Sequence, residues 1–198
     1  MKALNKIIIF TCIFSGLLFR SAVFAQGPKE LVVIDENMEN SEDLIKGVKK
    51  DIEVVVLKKD GNQLEELTQK LENYKDLDAI HLMICGEDGV INFQGAPVQN
   101  DNLSSYMESL AKWKESFKSG GDLLIYTCNL AGSNEGKLVV RRLSAYTGLD
   151  VAASTNRTGN YSDSTDWILE FMKGDVKAEF CFDENLIGDF KGTVTKEK

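Results

Sequence analysis

The sequence predicts a single α/β domain, a three-layer sandwich with a mostly parallel sheet. Three observations carry that expectation. Short, continuously apolar runs recur along the chain, the signature of strands buried on both faces. Amphipathic stretches of 10–16 residues separate them, and strands alternating with helices imply right-handed crossovers between parallel neighbours. Of 198 residues, 43% are hydrophobic and 27% charged, with 16 glycines and 2 prolines. That composition suits one domain with a full core and excludes a disordered, collagenous or low-complexity chain.

The first 25 residues are expected to lie outside the fold. Lys2 and Lys6 form a basic start, residues 7–19 are apolar, and Ala22-Val23-Phe24-Ala25 places small residues ahead of a cleavage point after Ala25. This is the layout of a secretory signal peptide, although Arg20 sits unusually close to the cleavage point. The apolar run is shorter than the ~20 residues that span a bilayer, so a retained anchor is the weaker reading. The expectation is an exported protein, secreted or periplasmic, with no membrane span after cleavage. Cleavage removes three cations and no acid, so the net charge of -8 becomes -11 on the remaining 173 residues. Such an acidic balance argues against a nucleic-acid partner, whose phosphates need a basic face.

Each element after residue 25 has its own signal. Residues 31–35 read as a buried strand, and Ser41-Glu42-Asp43 opens a short helix with Leu44, Ile45 and Val48 on one side. Residues 52–57 are a β-branched second strand, ended by Lys58-Lys59-Asp60-Gly61. Leu64, Leu67, Leu71 and Tyr74 recur at helical spacing, so 62–74 is an amphipathic helix. Residues 78–85 are a third buried strand closing on Gly86-Glu87-Asp88-Gly89, and 90–93 a short hairpin or edge strand. Leu103, Tyr106, Leu110, Trp113 and Phe117 mark a long helix stopped by Gly120-Gly121. Residues 122–128 are the fourth core strand. Ser133 caps a helix carrying Leu138, Val139, Leu143 and Tyr146, with Gly148 as its stop. Residues 151–154 are a fifth strand, 167–172 and 176–182 a closing hairpin, and 193–198 a frayed end.

In parallel sheets, ligands and catalytic groups gather at the carboxyl ends of the strands. That directs attention to Cys85 and Cys128, each ending a predicted core strand. Cys128 precedes Asn129-Leu130-Ala131-Gly132 and a helix start whose amides could stabilise a thiolate. Cys85 precedes Gly86 and Gly89, a turn that lets backbone approach the crevice closely. His81 is the single histidine, so any scheme needing a histidine base must use it. At ~3.3 Å per residue it lies ~13 Å back along its strand from Cys85. That is too far to activate a thiol, or to join Cys85 and Cys128 around zinc. Between Ile80 and Leu82 it reads as a hydrogen-bonded core residue, Cys181 as a buried thiol, and Trp113 as core. Asp35, Asp163 and Asp166 show no calcium-loop spacing and read as solvated carboxylates. Neither a metal nor a cofactor is expected.

The run Asp78-Ala79-Ile80-His81 leading into Gly86-Glu87-Asp88-Gly89, and then Gly121-Asp122-Leu123-Leu124-Ile125-Tyr126-Thr127-Cys128-Asn129, resembles a bacterial domain of unknown function. That domain sits at the N-termini of giant secreted adhesins with cadherin-like repeats. Residues 31–35, Thr147-Gly148, 151–154 and Asp166-Trp167 match in order, so the resemblance spans roughly residues 30–172. The family in turn looks like a member of the caspase-like cysteine peptidase group, which sets a His-Gly at one strand end and a nucleophilic cysteine at the next. The resemblance implies a caspase-like architecture, with Cys128 at the nucleophile position and Gly86, Gly89 and Asn129 supplying crevice backbone. The His-Gly position falls on Cys85-Gly86, so the general base is missing. Glu87 and Asp88 are near enough, but a carboxylate activates a thiol poorly and repels the thiolate.

The leading expectation is therefore a catalytically degenerate, exported module with a binding or structural role, whose partner is a protein or peptide. The alternatives are a cysteine hydrolase using Cys128 and, third, a thiol–disulfide redox protein using Cys85 and Cys128. Strands adjacent as in the resembled fold would let Cys85 and Cys128 bridge. The bridge would close a loop of about 40 residues and add ~3–4 kcal/mol in the chain-entropy model. Reactive thiols and inert core side chains are the other readings of the pair. In the resembled architecture the polar loop 154–165 approaches the crevice, which makes it the candidate ligand-contacting loop.

Overall fold

The computed structural model describes residues 29–160, 164–188, 190 and 192–194. The expected signal peptide, Asp163 and residues 195–198 of the expected frayed end lie outside the described residues. The chain runs through β1 (Glu30–Asp35), α1 (Ser41–Gly47), β2 (Glu53–Leu57), α2 (Gln63–Leu71) and β3 (Leu77–Met83). A small antiparallel sheet of β4 (Gly86–Glu87), β5 (Val90–Ile91) and β6 (Val98–Gln99) follows. Then come α3 (Met107–Trp113), β7 (Phe117–Tyr126), α4 (Asn134–Thr147), β8 (Asp150–Ala153), β9 (Arg157–Thr158), β10 (Thr165–Asp166), β11 (Phe171–Lys173) and α5 (Glu184–Ile187). The main sheet has six strands in the order β11-β8-β7-β3-β1-β2, and every neighbouring pair is parallel except β11 with β8.

Alternation along the strands divides the interior in two and makes the three-layer sandwich. Leu31, Val33, Ile80, Leu82, Leu123 and Ile125 pack with the apolar faces of α2, α3 and α4. Val32, Ile34, Ala79, Met83, Leu124 and Tyr126 pack the other way, with α1, α5 and the C-terminal segment. Where both faces are covered the central strands are continuously apolar, as in Leu31–Ile34 of β1 and Leu123–Tyr126 of β7. The helices start and stop where local chemistry dictates. Asn62 Oδ1 accepts the Glu65 N–H at 3.1 Å to open α2, and Ser133 Oγ accepts the Gly136 N–H at 3.1 Å to open α4. Gly148, at φ 69, ends α4.

Two expectations fail, both for long-range reasons. The helix expected over 103–117 is broken into the seven-residue α3 between 3-10 turns at Leu103–Tyr106 and Lys114–Ser116. Gly120-Gly121 does not stop it. The pair lies in a bulge of β7, where Leu77 pairs with Phe117 but Ala79 already pairs with Asp122. Gly120 has φ 75, and a Cβ on Gly121 would come within 2.6 Å of Phe117, so the bulge requires both glycines.

Residues 167–172 and 176–182 likewise do not pair as a hairpin, because β11 pairs with β8 instead. The following chain is drawn to Asp122, which is 2% exposed. Asp122 Oδ2 accepts the N–H groups of Lys177 and Ala178, each at 2.7 Å. Beyond it, Trp167 meets Phe180, Phe182 and Phe190 with ring centroids 5.9, 5.2 and 5.7 Å apart. Tilted rings of this kind give the second face a cover that two short helices alone would not supply.

Asp122→Ala is expected to destabilise the fold by about 2–4 kcal/mol, since it leaves two N–H groups without an acceptor. Asp122→Asn, which keeps an acceptor oxygen, should cost less. Urea titration of both variants checks this, and equal losses would show that charge rather than hydrogen bonding holds the segment. A second expectation concerns Cys181, whose thiol burial pushes far above its ordinary range. The unfolded chain releases that proton near the ordinary thiol value of ~8.5 and the folded chain does not. Its contribution is thus complete below pH ~8.5 and shrinks as the pH rises. Cys181→Ala should flatten the alkaline fall of stability in unfolding curves between pH ~8 and ~10.

Candidate functional site

β3, β7 and β8 end at one edge of the sheet, and the loops that follow enclose a crevice of about 490 Å³. Gly86, Glu87 and Asp88 line it from the first loop, Cys128 and Asn129 from the second, and Thr155, Asn156 and Arg157 from the third. This is the carboxyl edge of the parallel strands, where the architecture collects side chains from separate loops.

The three walls are tied to one another. Asn129 takes the left-handed conformation, φ 64, and so turns the chain out of β7. Its N–H donates to Asn156 O at 2.6 Å, and that of Ala131 to Ser154 O at 2.9 Å. Asn156 Nδ2 donates in turn to Asp166 Oδ2 at 2.9 Å. The first loop is anchored by the Gly89 N–H, which donates to Leu130 O at 3.0 Å. Asp88 Oδ1 accepts the Ser133 N–H, also at 3.0 Å. Gly86 is required because a side chain there would run into Thr127 Oγ1 and Val90 O. Gly89, at φ 72, shapes the turn and is not among the crevice-lining residues.

Cys128 reaches the crevice but is only 6% exposed. Burial raises its thiol pKa and outweighs the Thr158 and Val194 amides and the Arg157 charge, which all favour the thiolate. The start of α4 is not among the groups that lower it, and the Ser133 N–H that precedes the helix is given to the Asp88 carboxylate. Burial thus favours the protonated thiol at Cys128.

His81 stands beside Leu124 in the β3–β7 ladder, four residues before Cys128 on that strand. This places it ~13 Å from Cys128 along the sheet. It is fully buried, its Nε2 bonds Glu30 Oε2 at 2.9 Å, and its ring stacks on Tyr126 with centroids 6.1 Å apart. Cys85 is buried in the second-face core with Met83 and Tyr126, and the crevice lining does not include it.

The bridge expected between Cys85 and Cys128 is not formed; among the described residues there is no disulfide. Ile84 N–H donates to Tyr126 O at 3.4 Å, which carries the ladder on toward the two cysteines.

Asp35 and Asp166, expected to be solvated, are anchors instead. Asp35 Oδ1 accepts the Asn37 N–H at 2.9 Å and Gln63 Nε2 at 2.6 Å. Asp166 Oδ1 accepts the Ile168 N–H at 2.8 Å. Of the loop 154–165, Thr155, Asn156, Arg157 and Ser164 line the crevice. The sequence had pointed to them as a polar loop that the resembled architecture brings to the crevice.

Comparison with family models matches residues 31–194 to the Domain of unknown function (DUF4347). The match runs past residue 172, the earlier limit of the resemblance, and takes in the aromatic cover formed by Phe180, Phe182 and Phe190. No curated protein is significantly similar to the chain. With the matched segment covering the main sheet, both of its faces and the crevice, the chain belongs to the DUF4347 family of domains of unknown function.

Proposed function

We propose that the protein is an exported, catalytically degenerate caspase-like domain whose crevice binds a protein or peptide segment. One observation carries this reading: Cys128 is a buried thiol whose pKa burial raises, while the single histidine is bonded to Glu30 four residues back along the sheet. A base must come within ~2.6–3.2 Å of the proton it removes, and His81 is far outside that reach. Glu87 and Asp88 line the same crevice, but a neighbouring carboxylate disfavours the thiolate a nucleophilic step would need.

Binding asks less of these groups. The crevice combines two carboxylates, the Arg157 guanidinium, the Asn129 and Asn156 amides and the Thr155 hydroxyl. This mixed set suits the alternating donors and acceptors of an extended chain. Its walls are held by hydrogen bonds before any ligand arrives, which lowers the ordering cost of binding. Export rests on the basic start, apolar run and small residues of the first 25 positions.

Alkylation by iodoacetamide with peptide mapping tests the chemistry. Cys128 should react more slowly at pH 7 than an unhindered cysteine, with a rate that keeps rising above the ordinary thiol range of ~8.5. A plateau below pH 7 would overturn the reading. So would labelling by a peptide-based thiol electrophile that disappears in Cys128→Ala and persists in Cys181→Ala, and the protein would then be a cysteine hydrolase. For the binding itself, displayed random peptides enriched on the wild-type protein should bind Arg157→Glu at least about tenfold more weakly, or ~1.4 kcal/mol. Equal binding by the variant would place the recognition surface elsewhere.

A further inference from the structure

We propose that the amino edge of the main sheet holds a second binding site, which takes an alkyl ammonium or guanidinium group between the carboxylates of Glu30 and Asp122. This site lies at the opposite end of the strands from the crevice and does not depend on what the crevice binds.

A pocket of about 420 Å³ opens where β1 and β3 begin and where β7 leaves its bulge. Of its ten lining residues five are acidic and two are lysines. One of the lysines, Lys177, is drawn to Asp175 outside the lining, at 3.3 Å. The acidic Asp78 is neutralised by Lys118 at 2.7 Å. The balance that remains is negative, so the pocket attracts a cation.

Strand register places the two inner carboxylates. Glu30 pairs with Ala79 across β1 and β3, and Ala79 pairs with Asp122 across β3 and β7. Alternation sets Glu30 on the face of Val32 and Asp122 on the face of Leu124, and both belong to the second-face core. The two carboxylates therefore rise from one row of one face, about 9–10 Å apart at Cα. On the sheet only the methyl group of Ala79 stands between them. Both are withdrawn from water, the Glu30 side chain being 9% exposed and Asp122 buried.

Each carboxylate has one oxygen committed. Glu30 Oε2 meets His81 Nε2, which leaves Oε1, and Asp122 Oδ2 takes the Lys177 and Ala178 amides. Asp122 Oδ1 is buried and has no hydrogen-bond partner among the described residues. Buried polar atoms in folded proteins nearly always have a partner, because leaving one without is costly. The group that satisfies this oxygen must bring a donor and a positive charge. A hard metal ion suits the place poorly. Calcium takes about six to eight oxygens, and among the described residues no three acidic, histidine or cysteine side chains converge to hold a metal. An ammonium or guanidinium instead directs several N–H groups outward and can bridge two separate carboxylates. Ile52 and Ala178 give its alkyl stem an apolar wall.

Titration of isotope-labelled protein with butylguanidinium should shift the Lys177 and Ala178 amide resonances saturably, with a Kd of about 1 mM or tighter. Butylurea, its neutral isostere, should leave them in place, and added salt should weaken the binding. Glu30→Gln and Asp122→Asn should each raise Kd by about tenfold or more. Glu108→Gln, which removes the same charge from an exposed position of α3 across the sheet, should not change it. Tighter binding of agmatine than of a capped glycyl-arginyl-glycine peptide would mark a free amine as the natural ligand. The reverse order would mark an arginine side chain of a protein, and either order supports the site. No saturable shift up to about 10 mM, equal shifts from butylurea, a stronger response to calcium chloride, or wild-type affinity in Glu30→Gln would each overturn the proposal. Should Asp122→Asn lose its fold, Glu30→Gln and the butylurea comparison on the wild-type protein decide.

Discussion

Met83 lies beside Tyr126 and His81 beside Leu124 in the ladder between β3 and β7, and the positions of all the chemically distinctive side chains follow from that register. A slip of one residue would turn every side chain of a strand to the opposite face. Here both faces are buried, so a slip would exchange two complete apolar surfaces, and the register is strongly held. The ladder keeps His81 four residues back from Cys128. Beyond it, Cys85 lies in the core under the aromatic segment and Cys128 at the crevice wall. The chemistry at the carboxyl edge is thus limited by the pairing of strands as much as by the identity of the residues.

The two faces of the sheet are covered by different means. Three helices with regular apolar faces cover the first. The second relies on two short helices and on a segment with little secondary structure of its own, fastened by Asp122 at one place and by Trp167 at another. The carboxylate fixes the path of the backbone, and the indole fixes the rings that cover Leu124 and Tyr126. Trp167 is itself oriented by the bond from its Nε1 to Asn160 Oδ1, 2.8 Å long. The cover thereby connects the second face to the loop leaving β9, close to the crevice wall.

The crevice lies where parallel sheets collect side chains from separate loops. Its loops are cross-linked by backbone hydrogen bonds, its rim carries charges of both signs, and its thiol is held protonated by burial. A functioning nucleophile would require the reverse balance, with the positive charge and amide donors around Cys128 outweighing the loss of solvent. Arg157 and the Thr158 amide act in that direction but do not prevail.

What the sequence determined by itself was whatever local chemistry specifies. β1, β2, α2, β3, α4 and β8 lie within a few residues of where apolar runs, helical spacing, the Ser133 cap and the Gly148 stop place them. The strand-end positions of Cys128, Asn129 and Gly86 were legible in the same way, because an apolar run that stops at a glycine or asparagine marks a strand end. The tertiary structure decided the rest. Gly120-Gly121 looked like a helix stop, but only the pairing of Ala79 with Asp122 could turn it into a strand bulge. Residues 176–182 looked like a strand, but a carboxylate 55 residues away claims their amides. Asp35 and Asp166 looked solvated until distant chain and loop donors reached them. The protonation of Cys128 was not readable at all, since it depends on how completely three loops from separate strands exclude water, and desolvation is a property of the packed neighbourhood rather than of the residue.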